Sequence, residues 1–266
     1  MPESDSYAQK KARYSKMLTV YGRKPALEVL QDDSVRCHAL HLADNNREGG
    51  IVAQLIAQAE RRGVTVKHHS RAELARISKN GKQDQGVAVD VHCPAFLDVE
   101  HYLTGETAPA AGTRLLALDG ISNPANLGMI IRSAAAGAID GIICPRRGNA
   151  ALGPLVIKAS AGTLYRAPLL RCESLVEALQ LCRQQGIEIC ILAADARESL
   201  FDYQPTGPVV YVLGNETEGV SPAVEALADT RLAIPMGNGV ESLNVAVTAS
   251  LIAFAPALGG ARVARA

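Results

Sequence analysis

Apolar positions recur along this chain with two periods, and the switches between them mark its elements. GRKPALEVLQ (22–31) carries apolar residues at helical spacing, and so does IVAQLIAQAERR (51–62), which runs into Gly63 where a helix stop is expected. CHALHLA (37–43), VTVKHH (64–69) and GVAVDV (86–91) fit strands, and RAELARIS (71–78) a short helix. These elements predict a small α/β domain over 18–92. The following stretch, 93–113, is rich in Pro, Gly, Ala and Thr and reads as a linker.

From Arg114 apolar strands alternate with helices. LLALDG, GIIC, IEICILAA, PVVYVLG and RLAIP read as strands. NLGMIIRSAAAGA, LVIKASAG, SLVEALQLCRQQ, PAVEALA and SLNVAVTASLIAFA read as helices, with Asn126 and Ser242 as candidate N-caps and Gly186 as a stop. That alternation predicts a parallel sheet covered on both faces, so the fold class is α/β with a second domain over 114–266.

Composition narrows this picture. The chain has 266 residues, 48% hydrophobic and 20% charged, enough for one large or two modest globular domains. No uninterrupted apolar run reaches the length of a membrane span, and the polar start MPESDSYAQKKARYSK is no secretory signal. Six scattered cysteines without a CxxC pair point to a reduced, cytoplasmic protein with neither disulfides nor zinc. The net charge is +0, but it is unevenly spread. Up to Ala95 there are 15 Lys+Arg against 11 Asp+Glu, a net of +4, and the remainder has 12 against 16, a net of −4. Lys10, Lys11, Arg13, Lys16, Arg23 and Lys24 form a basic stretch that begins in a tail over 1–17. It is either a solvated arm or a phosphate contact, since clustered cations gain from counterion release on a polyanion.

Candidate chemistry starts from absences. All six histidines precede the second domain, which therefore holds no histidine triad or histidine metal site of its own. No GxGxxG follows a strand, which disfavours a dinucleotide-binding oxidoreductase. Gly214 and Gly219 have P-loop spacing with Ser221 at the Ser/Thr position, but Val220 stands where Lys belongs. Two loops remain, LGNETEGVS (213–221) and IPMGNGVESLNV (234–245), each after a strand. Ligands of parallel sheets bind at the carboxyl ends of strands. These loops are either ordinary turns or a site that meets a heteroaromatic ring with backbone groups. In DGISNPANLGMIIRSAAAGA (119–138), Asn126 and Arg132 lie six residues apart on one helix. Each has a structural alternative: Asn126 as a cap, Arg132 as a stem over a surface groove.

The order and wording of NPANLGMIIRSA, VLGNETEGVS and IPMGNGVESLNVAV resemble the SpoU, or TrmH-like, RNA ribose 2′-O-methyltransferases of the SPOUT superfamily. YGRKPALEVL and DQGVAVDV resemble, more loosely, the ribosomal-protein-like substrate-binding domain of several members. The resemblance implies a deep C-terminal trefoil knot, S-adenosylmethionine as methyl donor without a metal, and a homodimer with its site at the subunit interface. It implies that Leu213, Gly214, Asn215, Glu216 and Gly219 line one side of a cofactor pocket and Ile234, Met236, Ser242, Leu243 and Asn244 the other. Arg132 would be the catalytic arginine, supported by Asn126, with Glu216, Ser242 or Asn244 orienting the nucleophile. Asn123 stands where many members have Asp, and Thr217 where many have Gly.

An arginine stays protonated in proteins and makes a poor base, so Arg132 is expected to bind the adjacent phosphate and stabilise developing negative charge. Structured RNA is the expected partner, 23S ribosomal RNA and a guanosine first, transfer RNA second. Arg23, Lys24, Arg146, Arg147, Lys158 and Arg166 are its candidate contacts. A ribosome-assembly factor that binds RNA without catalysis is the alternative from another class. Retention of Arg132, Glu216, Ser242 and Asn244 speaks against it.

Overall fold

The structure is a computed structural model that describes residues 16–47, 49–105 and 109–258. Lys10, Lys11 and Arg13 of the basic stretch, and most of the expected tail, lie outside the described residues. Contacts divide the chain into two units, one of residues 1–94 with 152–154, the other of 95–151 with 155–266.

The first unit runs β1 (Met17–Tyr21), α1 (Arg23–Gln31), β2 (Cys37–Ala43), α2 (Gly50–Arg61), β3 (Thr65–His69), α3 (Arg71–Ser78), β4 (Val87–His92). The sheet order is β1-β4-β2-β3, with β2 and β3 parallel and the other pairs antiparallel. Val20, Leu40 and Val89, together with Val29, Leu30 and Leu55 of the helices, are fully or almost fully buried. Period two puts the three strand residues on one face. Ser70 starts α3 with a reciprocal capping box to Glu73. The other face is apolar under α3, where Ala43, Leu74 and Ala88 cluster. Further along it turns polar: Asp90 accepts from Thr19 Oγ1 (2.8 Å) and pairs with His41 Nε2 (3.0 Å), while His41 Nδ1 meets His69 Nε2 (2.9 Å).

The second unit runs β5 (Leu97–Asp98), α4 (Val99–Thr104), β6 (Arg114–Leu118), α5 (Pro124–Ala136), β7 (Gly141–Pro145), α6 (Pro154–Ala159), a 3-10 turn (Thr163–Tyr165), β8 (Leu169–Cys172), α7 (Leu175–Gln184), β9 (Glu188–Leu192), β10 (Glu198–Ser199), β11 (Val209–Leu213), α8 (Pro222–Glu225), β12 (Thr230–Ala233) and α9 (Val245–Leu258). Eight parallel strands make one sheet, in the order β10-β12-β9-β11-β6-β7-β8-β5. Central β6 and β11 are buried over nearly their whole length, which is why they read as unbroken apolar runs. Leu103, Leu115, Leu179, Ile189 and Val210 belong to the core on one face. On α5, Gly128 has no room for a side chain, because a Cβ there would overlap Ala159 and the backbone of Val156. No helix of the described residues is long and apolar enough to cross a membrane.

Four sequence expectations need correction. The expected linker 93–113 contains β5 and α4, with Phe96, Val99 and Leu103 buried, so its apolar residues extend the second unit's sheet and core. β8 and the two-residue β10 were not expected. The N-cap of α5 is Asn123, whose Oδ1 accepts from the N–H groups of Ala125 (2.8 Å) and Asn126 (3.3 Å), with Pro124 in the first turn. Asn126 is thus inside the helix. Similarly α9 begins at Val245, and Asn244 rather than Ser242 takes the capping bond, from Ala246 N–H at 2.9 Å.

Candidate active site at the carboxyl edge

All eight strands of the large sheet point their carboxyl ends to one edge, and the three singled-out loops leave from it. β6 and β11 are neighbours in register, with Leu118 beside Leu213. The chain continues from them as the first and second motifs. Asp119 N–H donates to Leu213 O (2.8 Å), and Asp119 Oδ2 accepts from Ser221 N–H (2.7 Å). Asn215 Nδ2 donates to Gly120 O (2.9 Å). The second motif is therefore tied to β6 at both of its ends.

Between those ties it folds as a tight hairpin. Asn215 and Gly219 exchange backbone hydrogen bonds, each of 2.9 Å, and Asn215 Oδ1 accepts from the N–H groups of Thr217 (2.8 Å) and Glu218 (3.3 Å). Thr217 contributes its backbone here, so the departure at that position leaves the turn intact. Gly214 is required by contact, since a Cβ would overlap the backbone of Gly219 and Val220. Gly219 is required by conformation, with φ +73° and open space around it.

The hairpin presents Glu216 to Asn126. Asn126 Nδ2 donates to Glu216 Oε1, and Asn126 Oδ1 accepts from Asn244 Nδ2 at 3.2 Å. One buried amide, 7% exposed, thus joins all three motifs. Asn149 braces the same corner: its Oδ1 accepts from Ile121 N–H (2.6 Å) and its Nδ2 donates to Leu118 O (3.2 Å). Asp119 and Asn149 are site-shaping residues that the sequence reading passed over, although Asp119 opens the segment 119–138 that contains the first motif.

Arg132 projects to solvent from α5, and its side chain makes no hydrogen bond or ion pair among the described residues. It is not part of the Glu216–Asn126–Asn244 connection. Ser242 is also exposed. It lines a cavity of about 140 Å³ at the ends of β9 and β12, with Leu192, Ala193, Ala194, Ile234, Met236, Glu241, Leu243 and Thr248. Four of the expected cofactor residues, Ile234, Met236, Ser242 and Leu243, are among those walls. Leu213, Gly214, Asn215, Glu216, Gly219 and Asn244 are not, so the single pocket expected of both loops is, in this structure, a cavity beside a hydrogen-bonded cluster. The Leu192–Ala194 wall had no signal beyond being the end of a strand. An apolar cavity of roughly 150 Å³ takes a benzene molecule, so this half-open one has room for part of a nucleoside. Its walls are mainly apolar. No group of His, Cys, Asp and Glu among the described residues could hold a metal ion.

The expected RNA contacts fare differently. Arg23 is engaged within its own unit, donating from Nε to Gln85 O (3.2 Å) and from Nη2 to Asn46 Oδ1 (3.0 Å). Arg146 pairs with Glu173 at 2.9 Å. Lys24, Arg147, Lys158 and Arg166 are exposed.

Comparison with known proteins agrees with this geometry. The family model described as SpoU rRNA Methylase matches residues 113–254, and the one described as RNA 2′-O ribose methyltransferase substrate binding matches residues 19–96. An uncharacterised tRNA/rRNA methyltransferase of Mycolicibacterium smegmatis is 35% identical over 233 residues, 88% of this chain and 74% of that protein. A structure described as a TrmH-family RNA methyltransferase from Porphyromonas gingivalis superposes with a TM-score of 0.59 at 28% identity, covering 95% and 98% of the two chains. The SpoU methyltransferase AviRb of Streptomyces viridochromogenes, solved with AdoMet, shares the fold with a TM-score of 0.63 at 20% identity, covering 96% and 94%.

Proposed function

Because the chain belongs to the SpoU rRNA methylase family, we propose that it transfers a methyl group from S-adenosylmethionine to a ribose 2′-hydroxyl of structured RNA. 23S ribosomal RNA at a guanosine is the first choice and transfer RNA the second. The observation that carries this reading is the Asn126 amide, which links Glu216 and Asn244 and so assembles the three motifs at one corner of the sheet. Ile234, Met236, Ser242 and Leu243 would hold the adenine end of the cofactor in the cavity they line. Leu213, Gly214, Asn215 and Gly219 would meet the remainder of it with backbone groups.

When bound, S-adenosylmethionine supplies an activated methyl on a sulfonium, so neither a metal nor a covalent intermediate is needed. The task left to the protein is to position the hydroxyl and favour its developing charge, and positioning contributes up to about 7–11 kcal/mol in ideal cases. Asn126 fixes the Glu216 carboxylate, which would orient the 2′-hydroxyl together with Asn244 or Ser242. Arg132, free of protein partners among the described residues, keeps its guanidinium available for the phosphate next to the reacting ribose. Lys24, Arg146, Arg147, Lys158 and Arg166 would add phosphate contacts, and Arg23 would do so only by giving up its bonds to Gln85 and Asn46.

The same proposal includes a homodimer, a trefoil knot and a cytoplasmic location. Met129 on α5, and Val247 and Phe254 on α9, are apolar yet 40%, 47% and 37% exposed. α5 and α9 pack together, and these side chains would be covered by a second copy. The last strand, β12, is inserted between β9 and β10, an order compatible with a threaded chain end. Six unbridged cysteines suit a reducing compartment. Mapping 2′-O-methyl positions in total RNA with and without the gene tests the function. One position lost from ribosomal RNA is expected, and an unchanged map of ribosomal and transfer RNA would overturn it.

A further inference from the structure

Two arginines bury an Nε without a hydrogen-bond partner, Arg114 and Arg171. Arg114 is accounted for: its Nη2 donates to Tyr211 Oη (3.0 Å), and its guanidinium lies over the Tyr211 ring at 5.1 Å. Arg171 has nothing comparable. Its side chain makes no hydrogen bond and no ion pair among the described residues.

Arg171 sits near the carboxyl end of β8, between Leu170 and Cys172, both in the core beneath α7 and α4. Period two turns its side chain to the opposite face. Cys144 of β7 is its partner in register. Arg146, two residues past Cys144 and held to β8 by its N–H bond to Cys172 O (2.9 Å), leaves the strand on Arg171's side. Two carboxylates lie near: Glu173 is taken by Arg146 Nε at 2.9 Å, and Asp98 of β5, Arg171's register partner on its other side, caps α4 by accepting from Glu100 N–H at 3.1 Å. Burial, the largest cause, holds the Arg171 guanidinium below its ordinary range; Cys144 opposes it, Arg146 adds to it, and Cys172 and Glu173 oppose it more weakly. A half-desolvated cation next to a second cation is costly unless an anion completes it.

We propose that Arg171, with Arg146 beside it, forms a phosphate-binding site at the carboxyl ends of β7 and β8 that holds the RNA backbone next to the nucleotide being methylated. β8 is two strand spacings from β6, roughly 10 Å along the same edge. That places the pair within reach of a phosphate flanking a ribose held at Glu216. The site rests on the reading that the chain acts on RNA and not on which RNA atom is modified.

The test uses Arg171→Met and Arg171→Lys in the full chain, with binding to deproteinised 23S ribosomal RNA measured over a salt series. Arg171→Met is expected to weaken binding by about tenfold at ~0.1 M salt and to make the salt dependence shallower by roughly one ion. Its Tm should equal or exceed that of the wild type, because an unpaired buried charge is gone. Arg171→Lys should restore the salt slope without the full affinity. Wild-type affinity and slope in Arg171→Met would overturn the site, and so would a loss of affinity accompanied by a fall in Tm. Inorganic phosphate provides a separate arm: if it raises the Tm of the wild type but not of Arg171→Met while RNA affinity is unchanged, the site serves a small anion and the RNA assignment fails. Methyl mapping on the same RNA keeps the two readings apart, since absence of a 2′-O-methyl product leaves these binding results valid.

Discussion

Asparagine gains little from burial, so the position of Asn126 has to be explained by its partners. Its amide saturates a carboxylate oxygen of Glu216 and a side-chain N–H of Asn244, both of which are on exposed residues. Asn126→Ala frees those two groups to meet water, and should cost only about 1–2 kcal/mol of stability. Methyl transfer should fall by about 10²–10³-fold, because the preorganised acceptor is lost. Asn126→Asp makes a sharper comparison. It has the same shape but sets a carboxylate against Glu216. At neutral pH it should be less stable than Asn126→Ala, and the gap should narrow as the pH drops and one carboxyl of the pair takes up a proton. Thermal melts of both variants at pH 8 and pH 5 check this; a gap independent of pH would remove Glu216 as its neighbour. In sequence, Asn126 was readable as a cap or as a site residue. The signal that separates the two was Asn123–Pro124, since proline in the first turn leaves Asn123 as the cap and turns Asn126 inward.

At the scale of elements, a hairpin whose geometry rests on two glycines for different reasons carries the second motif. Gly214→Ala forces a Cβ into the backbone of Gly219 and Val220, which cannot give way without opening the Asn215–Gly219 pairing. Gly219→Ala meets no atom and costs only the left-handed conformation, about 1 kcal/mol. Gly214→Ala should therefore lower Tm and activity more than Gly219→Ala, a ranking that parallel melts and methylation assays read directly. The first unit's sheet offers a pH-dependent counterpart. Burial works to raise the pKa of Asp90, but the hydrogen bonds from His41 and Thr19 outweigh it and hold the carboxyl below its ordinary value. That contribution is complete above the unfolded carboxyl pKa of about 3.9 and is lost as the pH falls through the lower folded value. Thr19→Val, which removes one of these bonds, should shift acid unfolding to higher pH, as followed by circular dichroism. Helices with apolar stripes and stop signals, such as α2 before Gly63, were legible in sequence. β8 was not, because Arg171 interrupts its short apolar run, and β5 and α4 were hidden by a Pro- and Ala-rich composition whose few apolar side chains nevertheless fill the core.

For the whole molecule, the exposed stripe of Met129, Val247 and Phe254 separates two states that the sequence alone left to family resemblance. In a monomer these side chains would stay wetted and their replacement by charge would change little, as for most surface substitutions (within about 0.5 kcal/mol). In a dimer closed through α5 and α9, each charge would be buried against the partner copy without a counterion. Val247→Asp should therefore convert a dimer to a monomer in light scattering while the isolated chain keeps its circular dichroism. Activity should fall with the dimer, because Arg132 lies one turn beyond Met129 on the same side of α5 and would be brought to the interface with it. Activity recovered at high concentration of Val247→Asp would mean that assembly, and not a damaged site, had been lost. A wild type that is monomeric at micromolar concentration, yet active, would instead make α5 and α9 a surface for the RNA or another protein and confine catalysis to a single chain.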